Sequence, residues 1–243
     1  MNENLRDALA RARLQPTDVA TKLRVTPKTV ARWIGGRVPY PRYRTALADL
    51  LDLDEAELWP DVQRRRTTAS GIVAVYPHRW SVPRAVWLHL FETAETEISI
   101  LAYSGLFLAD DTGITRTLAA KAKAGVKIRI LLGDPDSQAV ADRGTDEGIG
   151  PDVMAAKIRN ALVLYKPLCS LEAVEIRLHS AVLYNSLYRA DDQLIVNAHI
   201  YGTPAADAPA WHIRATEKAD LLTTYLDSYE RAWTTARPYT TEQ

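Results

Sequence analysis

The chain has 243 residues with 30 basic and 30 acidic side chains, so its formal net charge is zero at pH 7. Its hydrophobic fraction of 47% is enough for folded cores, and the single cysteine, Cys169, excludes an internal disulfide framework. The N-terminal residues carry charges where a signal peptide needs an apolar run, and no stretch has the length of a membrane span. We therefore expect a cytoplasmic protein of one or two domains without a membrane partner.

Residues 16–34 have the pattern of two short amphipathic helices joined by a tight turn. Pro16 and Pro27 suit the first turn of each helix, and Thr26 is placed to act as the N-cap of the second. The predicted inward-facing residues are Val19, Ala20, Leu23, Val30, Ala31 and Ile34. The arrangement predicts a helix-turn-helix, a motif whose second helix enters the DNA major groove.

The charge of this region also favours DNA as a partner. Residues 6–44 contain ten basic and two acidic side chains, although the whole chain is neutral. Lys28, Thr29 and Arg32 point outward from the second helix and are predicted to read bases, with phosphate contacts at its flanks. The full set of candidate DNA-binding residues is Thr17, Thr26, Lys28, Thr29, Arg32, Arg37 and Arg42. A solvated helical domain or a protein-binding helical pair is the alternative.

Residues 4–60 resemble the XRE (Cro/C1-type) family of DNA-binding domains, and actinobacterial members in particular. The resemblance rests on the pattern V-x-x-K-T-V-x-R-W-I-x-G-R, from Val25 to Arg37. It implies a five-helix bundle with further helices at residues 4–14, 42–51 and 54–58. Arg24 occupies the turn position where the family favours Gly, so this arginine would have to adopt a positive φ.

Residues 61–72 are polar and lack apolar periodicity, which predicts a linker between domains at 1–60 and 73–243. Beyond it, strand and helix signals alternate, as in α/β domains. Strands are predicted at 97–105 and 126–134, followed by an extended run at 173–189 and a return strand at 193–202. Helices are predicted at 81–94, 114–124, 153–164 and 215–236.

The second domain resembles one lobe of the phospholipase D superfamily. The supporting segments are ISILAYSG at 98–105, AKAGVKIRILLGD at 122–134, and a C-terminal hairpin with His179. Enzymes of that superfamily carry H-x-K-x-x-x-x-D, in which His attacks phosphorus and Lys holds phosphate charge. Counted from His179, Ala181 and Ser186 replace the Lys and Asp; counted back from Asp191, Tyr184 and Ser186 replace the His and Lys.

The resemblance therefore implies a catalytically degenerate lobe that is not an enzyme and holds no metal or cofactor. The expected fold class is an all-α N-terminal helix-turn-helix bundle plus an α/β C-terminal domain, a phospholipase D-like lobe.

Polar residues follow the strands of this lobe, where open α/β sheets bind ligands. The candidate ligand-binding residues are Ser104, Asp134, Ser137, Arg177, His179, Tyr184, Asn185, Asn197, His199 and Tyr201. An arginine, two imidazoles and several amides would suit an anionic or nucleotide-like effector. A buried polar network that binds nothing is the alternative.

These observations predict a sequence-specific transcriptional regulator. Its first domain would read a double-stranded operator, an inverted repeat, and its second would bind a small-molecule effector and form a homodimer. Two other functions stay open. One is a DNA-tethered phosphodiesterase or nuclease of the phospholipase D superfamily. In the other, the second domain serves only for dimerisation.

Overall fold

The computed structural model describes residues 1–60, 62, 71–216 and 221–240. The chain divides into two compact units, Met1–Ala69 and Ser70–Gln243, and each is described by itself. Within the described ranges, no helix is both long enough and apolar enough to cross a membrane. Most of the predicted linker, including Arg64, lies outside the described residues.

The described part of the first unit is helical. Its helices are α1 (Glu3–Arg11), α2 (Pro16–Lys22), α3 (Pro27–Ile34), α4 (Pro41–Leu51) and α5 (Glu55–Leu58). Helix α3 has the predicted bounds because its start is encoded locally: Thr26 accepts a hydrogen bond from the Thr29 amide at 3.3 Å, and Pro27 opens the first turn. Helix α1 ends at Arg11 rather than at the predicted residue 14.

A small core joins these helices. It contains Leu5, Leu9, Val19, Val30, Trp33, Leu47 and Leu58. The expectation that Ala31 faces inward is wrong, because the inward positions of α3 are Val30 and Trp33, at i and i+3, and Ala31 is exposed. Arg24 does adopt a positive φ, of 52°, in the turn between α2 and α3.

One of the ten basic residues counted toward a DNA-facing surface points inward instead. Arg44 is buried, pairs with Glu55 at 2.6 Å and donates to the Pro39 carbonyl at 3.0 Å. Its charge therefore holds α4 to α5 and is not free for a phosphate.

The second unit alternates strands and helices. Its strands are β1 (Ile72–Tyr76), β2 (Glu97–Ala102), β3 (Lys127–Gly133), β4 (Val174–His179), β5 (Asn185–Ala190), β6 (Gln193–Ala198), β7 (Ala210–Arg214) and β8 (Arg237–Pro238). Its α-helices are α6 (Arg84–Glu92), α7 (Leu106–Ala109), α8 (Thr112–Lys123), α9 (Gln138–Asp146), α10 (Pro151–Tyr165) and α11 (Leu221–Thr235).

The strands form one mixed sheet in the order β1-β7-β6-β5-β2-β3-β4-β8 across the described residues. Strands β2, β3 and β4 are parallel, and the other pairings are antiparallel. Both faces are covered: Ile100 and Ile130 pack with α6, α8 and α10, whereas Leu101 and Leu131 pack with α11. Strands buried on two sides read as continuous apolar runs, which is why β2 and β3 were predictable.

Several predicted elements differ from the observed ones. The extended run 173–189 is interrupted after His179: β4 lies beside β3, whereas β5 lies on the far side of β2. Strands β1 and β7 and helix α9 were not predicted. The final helix, predicted at 215–236, is described from Leu221 to Thr235, and residues 217–220 lie outside the described part.

A buried arginine holds α11 against the sheet. Arg129 of β3 ion-pairs with Glu97 of β2 and with Glu230 of α11, and its guanidinium lies 5.2 Å from the Trp233 ring centroid. The Tyr229 hydroxyl also donates to the Arg129 carbonyl at 3.2 Å. The two carboxylates compensate the free-energy cost of burying the Arg129 guanidinium.

The β5–β6 turn is anchored by one carboxylate. Asp191 has a φ of 49° and accepts hydrogen bonds from the amides of Glu95, Thr96 and Glu97 at 2.6, 3.0 and 2.8 Å. These bonds tie the turn to the start of β2 and hold the pKa of Asp191 at about 2, against the effect of burial.

We expect Asp191→Ala to lower the free energy of unfolding of the second unit by about 2 kcal/mol or more, because three amides lose a charged acceptor. The matched control is Asp192→Ala at the next residue, which is exposed and lies 4.0 Å from Arg214. This control should stay within about 0.5 kcal/mol of the parent. Urea unfolding followed by circular dichroism measures both, and equal effects would show that the anchor is unimportant.

Candidate functional site

One groove on the first unit brings together five of the seven candidate DNA-binding residues. The groove, of about 560 Å³, is lined by Thr26, Thr29, Arg32, Arg37 and Arg42, together with the α3–α4 segment. Its polar rim is therefore positively charged. The other two candidates, Thr17 and Lys28, are exposed but do not line this groove.

The candidates differ in how free their side chains are. Arg32 and Arg37 are exposed, whereas the Thr29 hydroxyl is 2.9 Å from that of Thr26 and belongs to the helix cap. Arg42 lies over the Tyr43 ring, 4.6 Å from its centroid, and donates to the Tyr43 hydroxyl at 3.0 Å. Arg32 and Arg37 are thus the most available cations of the groove.

Sequence reasoning missed Tyr40, which lines the same groove with its side chain 72% exposed. It lies between Pro39 and Pro41, and prolines on both sides restrict the backbone that presents the ring. An exposed aromatic ring between two prolines in a basic segment was the available signal.

In the second unit, polar side chains meet at one edge of the sheet. Strands β2, β3 and β4 end there, and the antiparallel hairpin β5–β6 begins and ends there. A cavity of about 110 Å³ opens at this edge, and its lining includes Ser104, Ser186 and His199. Two candidate ligand-binding residues, Ser104 and His199, thus line a cavity. Ser186 was considered only as the residue that replaces the Lys or Asp of the phospholipase D motif.

Ser186 and His199 form a hydrogen-bonded pair in this cavity. The Ser186 Oγ is 2.9 Å from His199 Nε2, and His199 Nδ1 is 3.1 Å from the Leu183 carbonyl oxygen. Burial, with the nearby positive charge of Arg143, lowers the pKa of His199 to about 4. The Tyr103 ring stacks on the imidazole at 5.6 Å between centroids, and its hydroxyl accepts from the Leu183 amide.

His179 also contacts Tyr103, with 5.7 Å between ring centroids. It is 1% exposed, its Nε2 is 3.3 Å from the Ala102 carbonyl oxygen, and burial lowers its pKa to about 4. His179 is therefore an uncharged, buried imidazole next to the cavity and is absent from its lining.

Two cations that sequence reasoning missed line the cavity: Arg79, from a 3-10 turn after β1, and Lys157, from α10. Neither forms an ion pair with a carboxylate of the described residues. The one acidic lining residue, Glu147, is bound by Arg143 at 2.6 Å and by the Ala205 amide at 3.2 Å. The cations of this cavity therefore come from residues outside the phospholipase D motif.

The remaining candidate ligand residues lie outside the cavity lining. Asp134 pairs with Arg237 at 2.6 Å, which lowers its pKa, and Ser137 caps α9. Arg177 pairs with Glu175 and stacks on Trp233, so it contacts α11. The buried Asn197 amide donates to the Ala208 and Pro209 carbonyls. The others are Tyr184 and Tyr201, both more than four-fifths exposed, and the half-buried Asn185.

Asp191, which fits the Asp position of the phospholipase D motif in one register, lies at the opposite end of β5 from Asn185. It is occupied by the turn amides described above and does not meet an imidazole. No group of three or more metal-ligating side chains exists among the described residues.

No protein-family model and no curated protein matches the chain. Among solved structures, it is similar to Nuc, a phospholipase D family member from Salmonella typhimurium, with 22% identity, a TM-score of 0.40, and coverage of 65% of this chain and 91% of that one. TrmBL2, an archaeal chromatin protein whose structure shows a mode of DNA binding, aligns at 13% identity and TM-score 0.44, covering 88% and 72%. Phosphatidylserine synthase from Haemophilus influenzae Rd KW20 aligns at 12% identity and TM-score 0.45, covering 78% and 49%. Similarities of this size do not assign a function.

We expect the second unit to lose stability in weak acid, because it buries the imidazoles of His179 and His199. Their pKa values fall from an ordinary 6.5 to about 4, so both are neutral above pH 6.5 in the folded and unfolded chain. Below that pH the unfolded chain takes up protons that the folded chain resists until about pH 4. Each imidazole should therefore cost about 2 kcal/mol of stability near pH 5.

Denaturant unfolding at neutral pH and near pH 5 tests this. His199→Gln should reduce the difference between the two conditions by about 2 kcal/mol. The control is His89→Gln, at an exposed position of α6, which should leave the difference unchanged. An undiminished pH dependence in His199→Gln would contradict the assignment of a neutral buried imidazole.

Proposed function

We propose that the protein is a sequence-specific DNA-binding regulator whose second unit binds a small anionic effector. The observation that carries the proposal is the α3 groove. Helix α3 buries Val30 and Trp33 and leaves Arg32 exposed beside Arg37 and Arg42, so the cationic surface is presented by a rigid element. Cations around a helix that is free on one face are what phosphate and base-edge contacts require.

The α2–turn–α3 unit supports the helix-turn-helix interpretation and membership of the XRE type. Its two helices are separated by four residues, and Arg24 there has the left-handed backbone that such a turn needs. Isolated units of this kind read short sites, so we propose that a homodimer binds an inverted repeat. A footprint confined to one half-site, together with sedimentation of monomers only, would contradict the dimer.

Arg32→Ala should weaken operator binding by about 1–3 kcal/mol and relax the preference at one base pair. Arg42→Ala should weaken all sequences alike and reduce the slope of log K against log salt by about one, because it removes a phosphate contact. Fluorescence anisotropy with operator and scrambled duplexes at several salt concentrations measures both effects. The control is Arg116→Ala, at an exposed position of α8 in the second unit. Unchanged sequence discrimination in Arg32→Ala would contradict the role of α3.

The cavity of the second unit supports the effector. Arg79 and Lys157 present positive charge beside the hydroxyls of Ser104 and Ser186, and no carboxylate of the described residues pairs with either cation. Unpaired cations and hydroxyl donors in a partly enclosed space suit a phosphate or carboxylate group, since charge-assisted hydrogen bonds strengthen away from water. We therefore propose the cavity, and not the surface around Arg177, as the effector site.

Lys157→Ala should weaken binding of a phosphate-bearing ligand about tenfold or more, because one charge-assisted contact is lost. Thermal shift and calorimetry with inorganic phosphate and a panel of nucleoside monophosphates provide the measurement. Lys123→Ala, exposed near the end of α8, is the control and should bind like the parent. A ligand that binds should also change operator affinity, by a coupling of about 1–3 kcal/mol.

The other outcomes identify the alternatives. A dimer whose DNA affinity responds to no ligand would mean that the second unit serves only for dimerisation. Turnover of phosphodiesters or DNA that disappears in His179→Ala would favour a DNA-tethered phosphodiesterase.

A further inference from the structure

The Ser186–His199 pair has a defined proton arrangement. A carbonyl oxygen can only accept, so the 3.1 Å contact between His199 Nδ1 and the Leu183 oxygen places the imidazole proton on Nδ1. The Nε2 atom is then the acceptor, and the Ser186 hydroxyl donates to it over 2.9 Å. A hydroxyl, a base that accepts its proton and a third group that orients the base are the parts of an activated nucleophile.

The surroundings of His199 keep its acceptor available. Burial is the largest cause of its lowered pKa, and the positive charges of Arg143 and Arg79 add to it. His179, itself neutral at pH 7, contacts the same Tyr103 ring. The imidazole is therefore unprotonated at neutral pH, and its Nε2 is available to accept the hydrogen bond of Ser186.

The same cavity offers positive charge to a reacting group. Burial raises the pKa of the Tyr188 hydroxyl, and interactions with Arg79 and Ser186 oppose this rise. Arg79 therefore lies close to Tyr188. The Arg79 Nε is buried and has no hydrogen-bond partner among the described residues, and its guanidinium lies 3.8 Å above the Phe107 ring centroid. Lys157 lines the cavity from the α10 side. Cations fixed beside a nucleophile stabilise charge that develops on a phosphoryl oxygen.

We propose that Ser186 is a nucleophile that accepts the phosphoryl group of a small phosphate monoester, with His199 as general base. Ser186 Oγ forms a bond to phosphorus while the bond from phosphorus to the ester oxygen breaks. The Ser186 proton passes to His199 Nε2 and then to the departing alkoxide, which leaves as an alcohol. Water then attacks the phosphoserine, gives a proton to His199, and releases phosphate as that proton returns to Ser186 Oγ.

This inference rests on the proposed effector cavity and deepens it, because the ligand would be processed where it binds. It differs from the phospholipase D motif in its roles. There a histidine attacks phosphorus and a lysine of the same motif holds the charge. Here a serine attacks, a histidine serves only as base, and the cations come from Arg79 and Lys157, which are remote from both in sequence.

The test uses the full chain with p-nitrophenyl phosphate, followed by acid quench and peptide mapping. We expect a phosphoryl adduct on Ser186 and release of nitrophenolate. His199→Asn keeps an amide donor for the Leu183 carbonyl but removes the base, so the rate should fall about 100-fold or more. Ser186→Ala should lose the adduct.

Two control variants match these changes. His212→Asn alters another half-buried imidazole, whose Nε2 is 3.2 Å from Gln193 rather than from a hydroxyl, and Ser170→Ala removes an exposed hydroxyl. Both should react like the parent. Circular dichroism and thermal unfolding establish that each variant folds, and mapping of the parent chain assigns the adduct even if Ser186→Ala does not fold.

The outcomes separate this inference from the proposed function. An adduct on another residue, or no adduct at all, would overturn the role of Ser186, and an unchanged rate in His199→Asn would overturn the role of His199 as general base. If phosphate still raises the melting temperature in a Lys157-dependent way, the effector cavity stands and only the nucleophile is wrong. If phosphate also has no effect on the parent chain, both are wrong.

Discussion

The position of β2 in the sheet is the constraint on which the second unit depends. It pairs in parallel with β3 and antiparallel with β5, so the carboxyl ends of three parallel strands meet the open end of the β5–β6 hairpin. The β5–β6 hairpin itself holds Ser186 within hydrogen-bond distance of His199. Its pairing with β2 brings this pair to Tyr103, whose ring also contacts His179. At the opposite end of the hairpin, the Asp191 carboxylate stabilises the β2–β5 pairing by accepting hydrogen bonds from amides at the start of β2.

The electrostatics of the cavity follow from which charges are already used. Arg143 and Glu147 satisfy each other one helical turn apart, with both side chains less than a tenth exposed. Arg129 and Arg177 are committed to α11, and Asp134 to Arg237. Arg79 and Lys157 line the cavity without a carboxylate partner among the described residues, near imidazoles that burial keeps neutral. The cavity is therefore positively charged because the other charges near it are paired locally. The net charge of the whole chain, which is zero, gives no indication of this.

Local signals made some features predictable and left others out of reach. Helix α3 was bounded correctly because Thr26 and Pro27 mark its start in the sequence itself. Buried parallel strands were visible as apolar runs, and Gly125, with a φ of 90°, marked the end of α8. The separation of β4 from β5 was missed. A run of extended residues has the same sequence pattern whether it forms one strand or two strands at different positions of the sheet. Arg79 and Lys157 were missed for a related reason: they reach the cavity from a short turn and a helix whose placement only the tertiary fold determines.

Arg24 combines an exposed positive charge with a backbone conformation that favours glycine. Its left-handed conformation costs a side-chain-bearing residue about 1 kcal/mol relative to glycine. An arginine here therefore gives up stability that glycine would restore, while adding an exposed cation two residues before the cap of α3. Replacement by glycine would favour the fold and remove the charge, whereas replacement by lysine would keep both the charge and the strained backbone. If phosphates pass close to this turn, selection at position 24 acts on binding at the expense of folding.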